Sequence, residues 1–71
     1  MIRLNGVEYN YLAGMSLQEL VTDYNNEKNG KLAFDGFAVI INNNAIQTLE
    51  APARIISDND NILIIPLLDG G

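Results

Sequence analysis

The sequence predicts an α+β fold in which one main helix packs on one face of a mixed sheet of four to five strands. Three features lead to it. A single capped amphipathic segment runs from Ser16 to Gly30. Short segments of strand character lie on either side of it, and two of these are apolar on both faces. One helix can cover only one face of a sheet, so the continuous apolar strands belong at the sheet centre.

Residues 1–4 and 7–12 flank Asn5-Gly6, a two-residue link of the kind a tight hairpin prefers. Asn and Gly both tolerate the positive φ that a type I′ turn demands at its two central positions. Ile2 and Leu4 share one face of the first strand, and Val7, Tyr9 and Tyr11 alternate with Glu8, Asn10 and Leu12 in the second. Gly14 breaks that strand. Ser16-Leu17-Gln18-Glu19 then reads as a capping box, with Met15 and Leu20 at the spacing of a hydrophobic staple. Leu17, Leu20, Val21 and Tyr24 form one apolar stripe, and Asn29-Gly30 supplies a stop.

Phe37-Ala38-Val39-Ile40-Ile41 is a short apolar run rich in β-branched residues, as expected of an interior strand. Asn42-Asn43-Asn44 turns the chain, and Ala45-Ile46-Gln47 reads as a short returning edge strand. Residues 49–56 fit no single element, because Pro52 argues against a central strand there. Ser57-Asp58-Asn59-Asp60 is a turn cluster, in which both carboxylates are expected to bond nearby backbone. Residues 61–68 form the last strand. The order β-β-α-β-β(short)-β, with the first and last strands parallel neighbours in the middle, is a β-grasp arrangement. One domain is expected over residues 1–71, ending in a flexible Gly70-Gly71 tail.

Composition narrows the function. The chain has 71 residues, and a domain of that size buries only about 60% of the surface its unfolded chain exposes. It has no Cys and no His, so disulfide staples, thiolate nucleophiles, imidazole bases and soft metal sites are all missing. An apolar content of 48% supports a core built by packing alone. A self-sufficient enzyme is hard to assemble from the carboxylates and hydroxyls that remain, and no metal site is expected. The net charge is −5, with Arg3, Lys28, Lys31 and Arg54 scattered in sequence, which argues against a nucleic-acid partner. An acidic chain is instead steered toward a basic protein surface. No apolar run has the length of a membrane span and residues 1–3 do not begin a signal peptide, so a cytoplasmic location without membrane contact is expected.

The chemistry then falls to the terminus. Two terminal glycines arise by chance in roughly one chain in two hundred, and here they follow directly on a predicted strand. Glycine has no Cβ, so such a stalk can thread a narrow channel, and a Gly71 carboxylate can reach the α-phosphate of ATP without a side chain in the way. The bland reading is a frayed chain end of no consequence.

These features together resemble the ThiS branch of the ThiS/MoaD family of ubiquitin-like sulfur carriers. The resemblance runs from end to end: the Asn5-Gly6 hairpin, Gly14 with Ser16-Leu17-Gln18-Glu19-Leu20, Ala38-Val39-Ile40-Ile41-Asn42, Asp58-Asn59-Asp60 before an aliphatic strand, and Gly70-Gly71. Two departures stand out. Asn59 sits where the family often has Gly between two acids, and Gln47-Thr48-Leu49-Glu50-Ala51 stands where many thiamine-pathway members carry Pro-Arg-x-x-Trp.

The resemblance implies a protein co-substrate rather than an enzyme, with no bound cofactor. A ThiF-like adenylating enzyme would use MgATP to activate Gly71. A cysteine desulfurase or rhodanese-like donor would supply sulfur to give a Gly71 thiocarboxylate, and a ThiG-like thiazole synthase would draw on it for thiamine biosynthesis. Gly70 is then the spacer. The MoaD-like alternative is the small subunit of molybdopterin synthase. A ubiquitin-like protein modifier and an inert interaction module are two further readings.

One face of the last strand carries Ile62, Ile64 and Leu68, and the other carries Leu63, Ile65 and Leu67. Near Leu67 and Leu68 the second face is expected to dock the activating enzyme, unless residues 49–56 or a dimer cover it. Asp69 is a candidate contact for a basic channel on that partner, or a solubilising charge. Tyr9, Tyr11 and Tyr24 fit ordinary packing and are given no chemistry.

Overall fold

A computed structural model describes residues 1–67. Leu68, Asp69, Gly70 and Gly71, which hold most of the site read from the sequence, lie outside the described residues. The elements are β1 (Ile2–Leu4), β2 (Val7–Tyr9), α1 (Leu17–Lys28), β3 (Phe37–Ile41), β4 (Asn44–Ile46) and β5 (Asn61–Pro66). They form one mixed five-stranded sheet in the order β2-β1-β5-β3-β4, crossed by one helix. β1 and β5 are parallel neighbours, with Arg3 opposite Asn61 and Leu4 opposite Ile62, and the other pairings are antiparallel. This is the β-grasp order expected from the sequence.

Local chemistry accounts for the elements. Asn5 and Gly6 take φ of 48° and 83°, the double positive φ that a type I′ hairpin requires. Asn42 and Asn43, at 51° and 69°, turn β3 into β4 by the same device. At the helix start Ser16 Oγ accepts from the Glu19 N–H at 3.2 Å, and Glu19 Oε1 accepts from the Ser16 N–H at 3.3 Å, so the capping box is closed. Met15 and Leu20 are both buried, as a staple requires. Asn29 closes the helix in the left-handed region, at φ 51° and ψ 37°.

The core lies between helix and sheet. Leu17, Leu20 and Val21 of α1 face Ile2, Leu4, Val39, Ile41, Ile62 and Ile64 of the sheet, with Met15, Ala51 and Ile56 closing one end. Removing such side chains from water is worth roughly 1.5–3 kcal/mol each, which is what offsets the chain entropy in a molecule without staples.

The structure departs from the sequence reading in the bounds of three strands. β4 covers Asn44–Ile46 rather than residues 45–47. β5 ends at Pro66, so Leu67 is not strand, because β3 begins at Phe37, which already pairs with Pro66. β2 ends at Tyr9, so residues 10–12 are not strand, and Tyr11 and Leu12 are exposed. A longer β2 would have no neighbour to run along, because β1 begins at Ile2, which already pairs with Tyr9. The segment 49–56, which the sequence leaves unassigned, forms turns through residue 53 and an isolated antiparallel bridge between Ile55 and Ser16, and docks on the helix start. The Leu17 N–H donates to the Arg54 carbonyl at 2.8 Å and the Gln18 N–H to the Pro52 carbonyl at 3.0 Å. These are two of the amides that a helix N-terminus leaves without internal partners. The Ile56 N–H adds a bond to the Met15 carbonyl at 2.8 Å, and Ala51 and Ile56 are buried beneath the segment.

Candidate functional site

The site comprises the root of the C-terminal segment and the sheet face beside it. β5 leads toward Gly70-Gly71 between β1 and β3, and its pairing to the two neighbours ends at different heights. On the β3 side the ladder runs from Ile41 opposite Ile62 to Phe37 opposite Pro66, and the Leu67 N–H donates to the Gly36 carbonyl at 2.9 Å. On the β1 side the ladder stops at Leu4, where the hairpin turns away.

Asn5 continues that ladder with its side chain. Asn5 Oδ1 accepts from the Ile64 N–H at 2.8 Å and Nδ2 donates to the Ile64 carbonyl at 3.0 Å, so one amide does the work of a strand residue. The next backbone group on that side belongs to Pro66, which has no N–H to leave unpaired. The last strand is thus held on both sides up to Ile64 and on one side to Leu67.

The sheet face away from the helix is open. Alternation along β5 exposes Leu63 (39%), Ile65 (46%) and Leu67 (62%), whereas Ile62 and Ile64 are buried. Register places Ile40 opposite Leu63, Ala38 opposite Ile65 and Ala45 opposite Ile40, which continues the apolar surface across β3 and β4. Arg3 and Glu8 border it on the β1–β2 side, joined by an exposed ion pair at 3.6 Å. The segment 49–56 is bonded to the helix start on the other side of the sheet, so it does not cover this face. Of the residues expected to bind a partner, Leu67 is exposed, while Leu68 and Asp69 lie outside the described residues, as do Gly70 and Gly71. The contributions of Ala38, Ile40 and Ala45 escape sequence reading. In the run 37–41 every residue is apolar, so periodicity does not tell which ones face the core.

The acidic turn works as backbone chemistry. Asp60 is 7% exposed, and its carboxylate accepts from the Ser57 N–H and from Asn42 Nδ2, each at 2.8 Å. Asn42 Oδ1 in turn accepts from the Asn61 N–H at 2.9 Å, tying the β3–β4 turn to the start of β5. Asn59 adopts φ 69°, the left-handed geometry for which the family often uses Gly. Asp58 is exposed and accepts from the Met1 ammonium at 2.8 Å, a bond that holds its carboxyl below the usual range. The Tyr9 hydroxyl is buried with no hydrogen-bond partner among the described residues. Desolvation, then the nearby Glu27, Tyr24 and Asp23, push its acidity toward higher pH.

The family model described as the ThiS family matches residues 2–71, nearly the whole chain and through both terminal glycines. The chain belongs to the ThiS family. Members of this family are small ubiquitin-like sulfur carriers that work with adenylating and sulfur-transfer enzymes. The five-stranded sheet with one crossing helix is the β-grasp fold of the ThiS family. No curated protein is matched by the sequence. Among the described residues no helix is long and apolar enough to cross a membrane.

Proposed function

We propose that this ThiS-family chain carries sulfur, as a thiocarboxylate on Gly71, to thiazole formation in thiamine biosynthesis. The family match over residues 2–71 supports the sulfur-carrier part of this reading, and the chain's length and resemblance favour the thiamine branch. The Gly71 carboxylate attacks the α-phosphorus of MgATP on a ThiF-like adenylating enzyme, pyrophosphate leaves, and an acyl-adenylate forms. The persulfide of a cysteine desulfurase or rhodanese-like protein attacks the acyl carbon and displaces AMP. A thiol then cleaves the S–S bond of the acyl disulfide, leaving the Gly71 thiocarboxylate and a disulfide. On a ThiG-like thiazole synthase the thiocarboxylate sulfur bonds to the acceptor substrate, the acyl C–S bond breaks, and an oxygen from the acceptor or from water takes its place, returning the carboxylate. This chain supplies the carbonyl carbon and a guide to the partner, and the ATP and metal sites belong to the activating enzyme.

Geometry supports a division of labour. The open face around Leu63, Ile65 and Leu67, extended by Ile40, docks the partner. Its apolar centre and its Arg3–Glu8 border resemble a small interface core and rim. Four residues follow Leu67, and covalent geometry limits their reach to about 14 Å. On the reading that Gly71 is the reacting residue, the activating site lies within that distance of the docked sheet. Gly70 lets the segment enter a narrow channel, and Asp69 meets a basic residue at its mouth.

The test is intact-mass spectrometry before and after MgATP, a ThiF-like enzyme and a sulfide source. The expected result is the mass gain of one oxygen replaced by sulfur, lost when Gly71 is deleted. An unchanged mass with several competent activating enzymes would refute the carrier reading. A thiocarboxylate that feeds molybdopterin synthase but not thiazole synthase would keep the carrier and overturn the pathway. The segment 47–51, with Leu49 96% exposed where Pro-Arg-x-x-Trp is common, is the feature to watch in that comparison.

A further inference from the structure

The chain contains two Asn-Gly pairs, Asn5-Gly6 and Asn29-Gly30, and the fold treats them oppositely. We infer that Asn29 is a site of spontaneous deamidation, while Asn5 is shielded from the same reaction by the clamp on β5. In this reaction the Gly30 backbone nitrogen attacks Cγ of Asn29. The Cγ–Nδ2 bond breaks, the proton from the Gly30 nitrogen leaves with ammonia, and a five-membered imide remains. Water then opens the imide at either carbonyl, giving Asp or isoaspartate. A following glycine favours the attack because no side chain hinders its nitrogen.

The reaction requires a free carboxamide and a free following N–H. At Asn5 both amide atoms are held by Ile64, at 2.8 and 3.0 Å, in the half-buried seam of β1 and β5. Freeing them means separating the central strands, which approaches global unfolding. Asn29 is exposed, and its side chain makes no hydrogen bond to the described residues. The Asn29 and Gly30 N–H groups both donate to the Asn25 carbonyl, the latter at 3.1 Å. The Gly30 N–H is released by a local opening of the last helical turn, which loosens at most the two Asn25 side-chain bonds to Leu32, each at 2.9 Å. That opening leaves the sheet and core intact and is far smaller than the one that frees Asn5. The product adds a carboxylate at the negative end of the helix dipole, on a chain already at −5.

The test incubates the folded full chain in mildly alkaline buffer and maps peptides by fragmentation that separates Asp from isoaspartate. Conversion at Asn29 should exceed that at Asn5 by more than ~100-fold. In denaturant the two sites should convert at comparable rates. Asn29→Gly, which suits the left-handed cap, should abolish the folded-state reaction without lowering the melting temperature. Asn29→Asp should lower it by about 1–5 °C. Equal conversion at both sites in the folded chain would overturn the inference, as would conversion at neither while the denatured chain converts at both.

Discussion

Asn5→Gly isolates the side-chain clamp on β5 from the turn that carries it. Glycine keeps the positive φ observed at residue 5, so the hairpin geometry survives the substitution. What disappears is the pair of hydrogen bonds to Ile64 N–H and C=O. Each contributes about 0.5–1.5 kcal/mol net, and the half-enclosed Ile64 groups are left to whatever water can reach them. Relief of residual left-handed strain at Asn offsets a few tenths of that. The expected loss is about 2–3 kcal/mol, a large fraction of the ~4–10 kcal/mol expected for a chain of this length.

In urea, with m about 1 kcal/mol/M, the midpoint should fall by roughly 2–3 M with unchanged slope. The thermal midpoint should fall by roughly 8–24 °C. Asn5→Asp sharpens the test, because it keeps an acceptor for the Ile64 N–H but sets a carboxylate against the Ile64 carbonyl. It should be at least as destabilised at neutral pH and recover as acid protonates the new carboxyl into a donor. A urea midpoint for Asn5→Gly within ~0.5 M of the parent would refute the reasoning, since it would mean that backbone pairing alone holds β5.

Ile65→Glu places a charge in the open face and should cost no more than ~1 kcal/mol of stability, while lowering kcat/KM of adenylation at least ~10-fold. Activation kinetics that follow only the stability loss would remove the docking role. Tyr9→Phe deletes a buried hydroxyl with no partner among the described residues, so urea unfolding should show stability unchanged or raised by up to ~1 kcal/mol. The Tyr9 proton is held more tightly in the folded state than in the unfolded chain, so its contribution is present below the unfolded value near 10 and is lost as pH rises. Stability of the Phe variant should therefore fall less steeply above that pH. The Asp58 carboxyl is held below its usual range by the Met1 ammonium, so its contribution is present above the unfolded value and fades as pH falls through the folded one. Asp58→Asn should flatten the stability–pH curve below about pH 4, and an acid limb identical to the parent's would count against the bond.

Everything that depends on near neighbours was legible in the chain itself. The Asn5-Gly6 turn, the Ser16–Glu19 box, the Met15–Leu20 staple and the Leu17–Leu20–Val21 stripe each span a few residues, so their chemistry is written in local spacing. Gly70-Gly71 is visible in the sequence but weak alone, and the carrier reading comes from the family resemblance over the whole chain, which the family match over residues 2–71 supports. Tertiary structure decided what those spacings do not encode. Asn5 reaches a residue 59 positions away, and Asn42 one that lies 19 away, yet both look like ordinary turn residues in sequence. Residues 49–56 have no regular period, because their conformation is set by two helix amides in search of carbonyls. The extent of the open face likewise depended on register, since an all-apolar run such as 37–41 is equally compatible with either face until a partner strand is laid beside it.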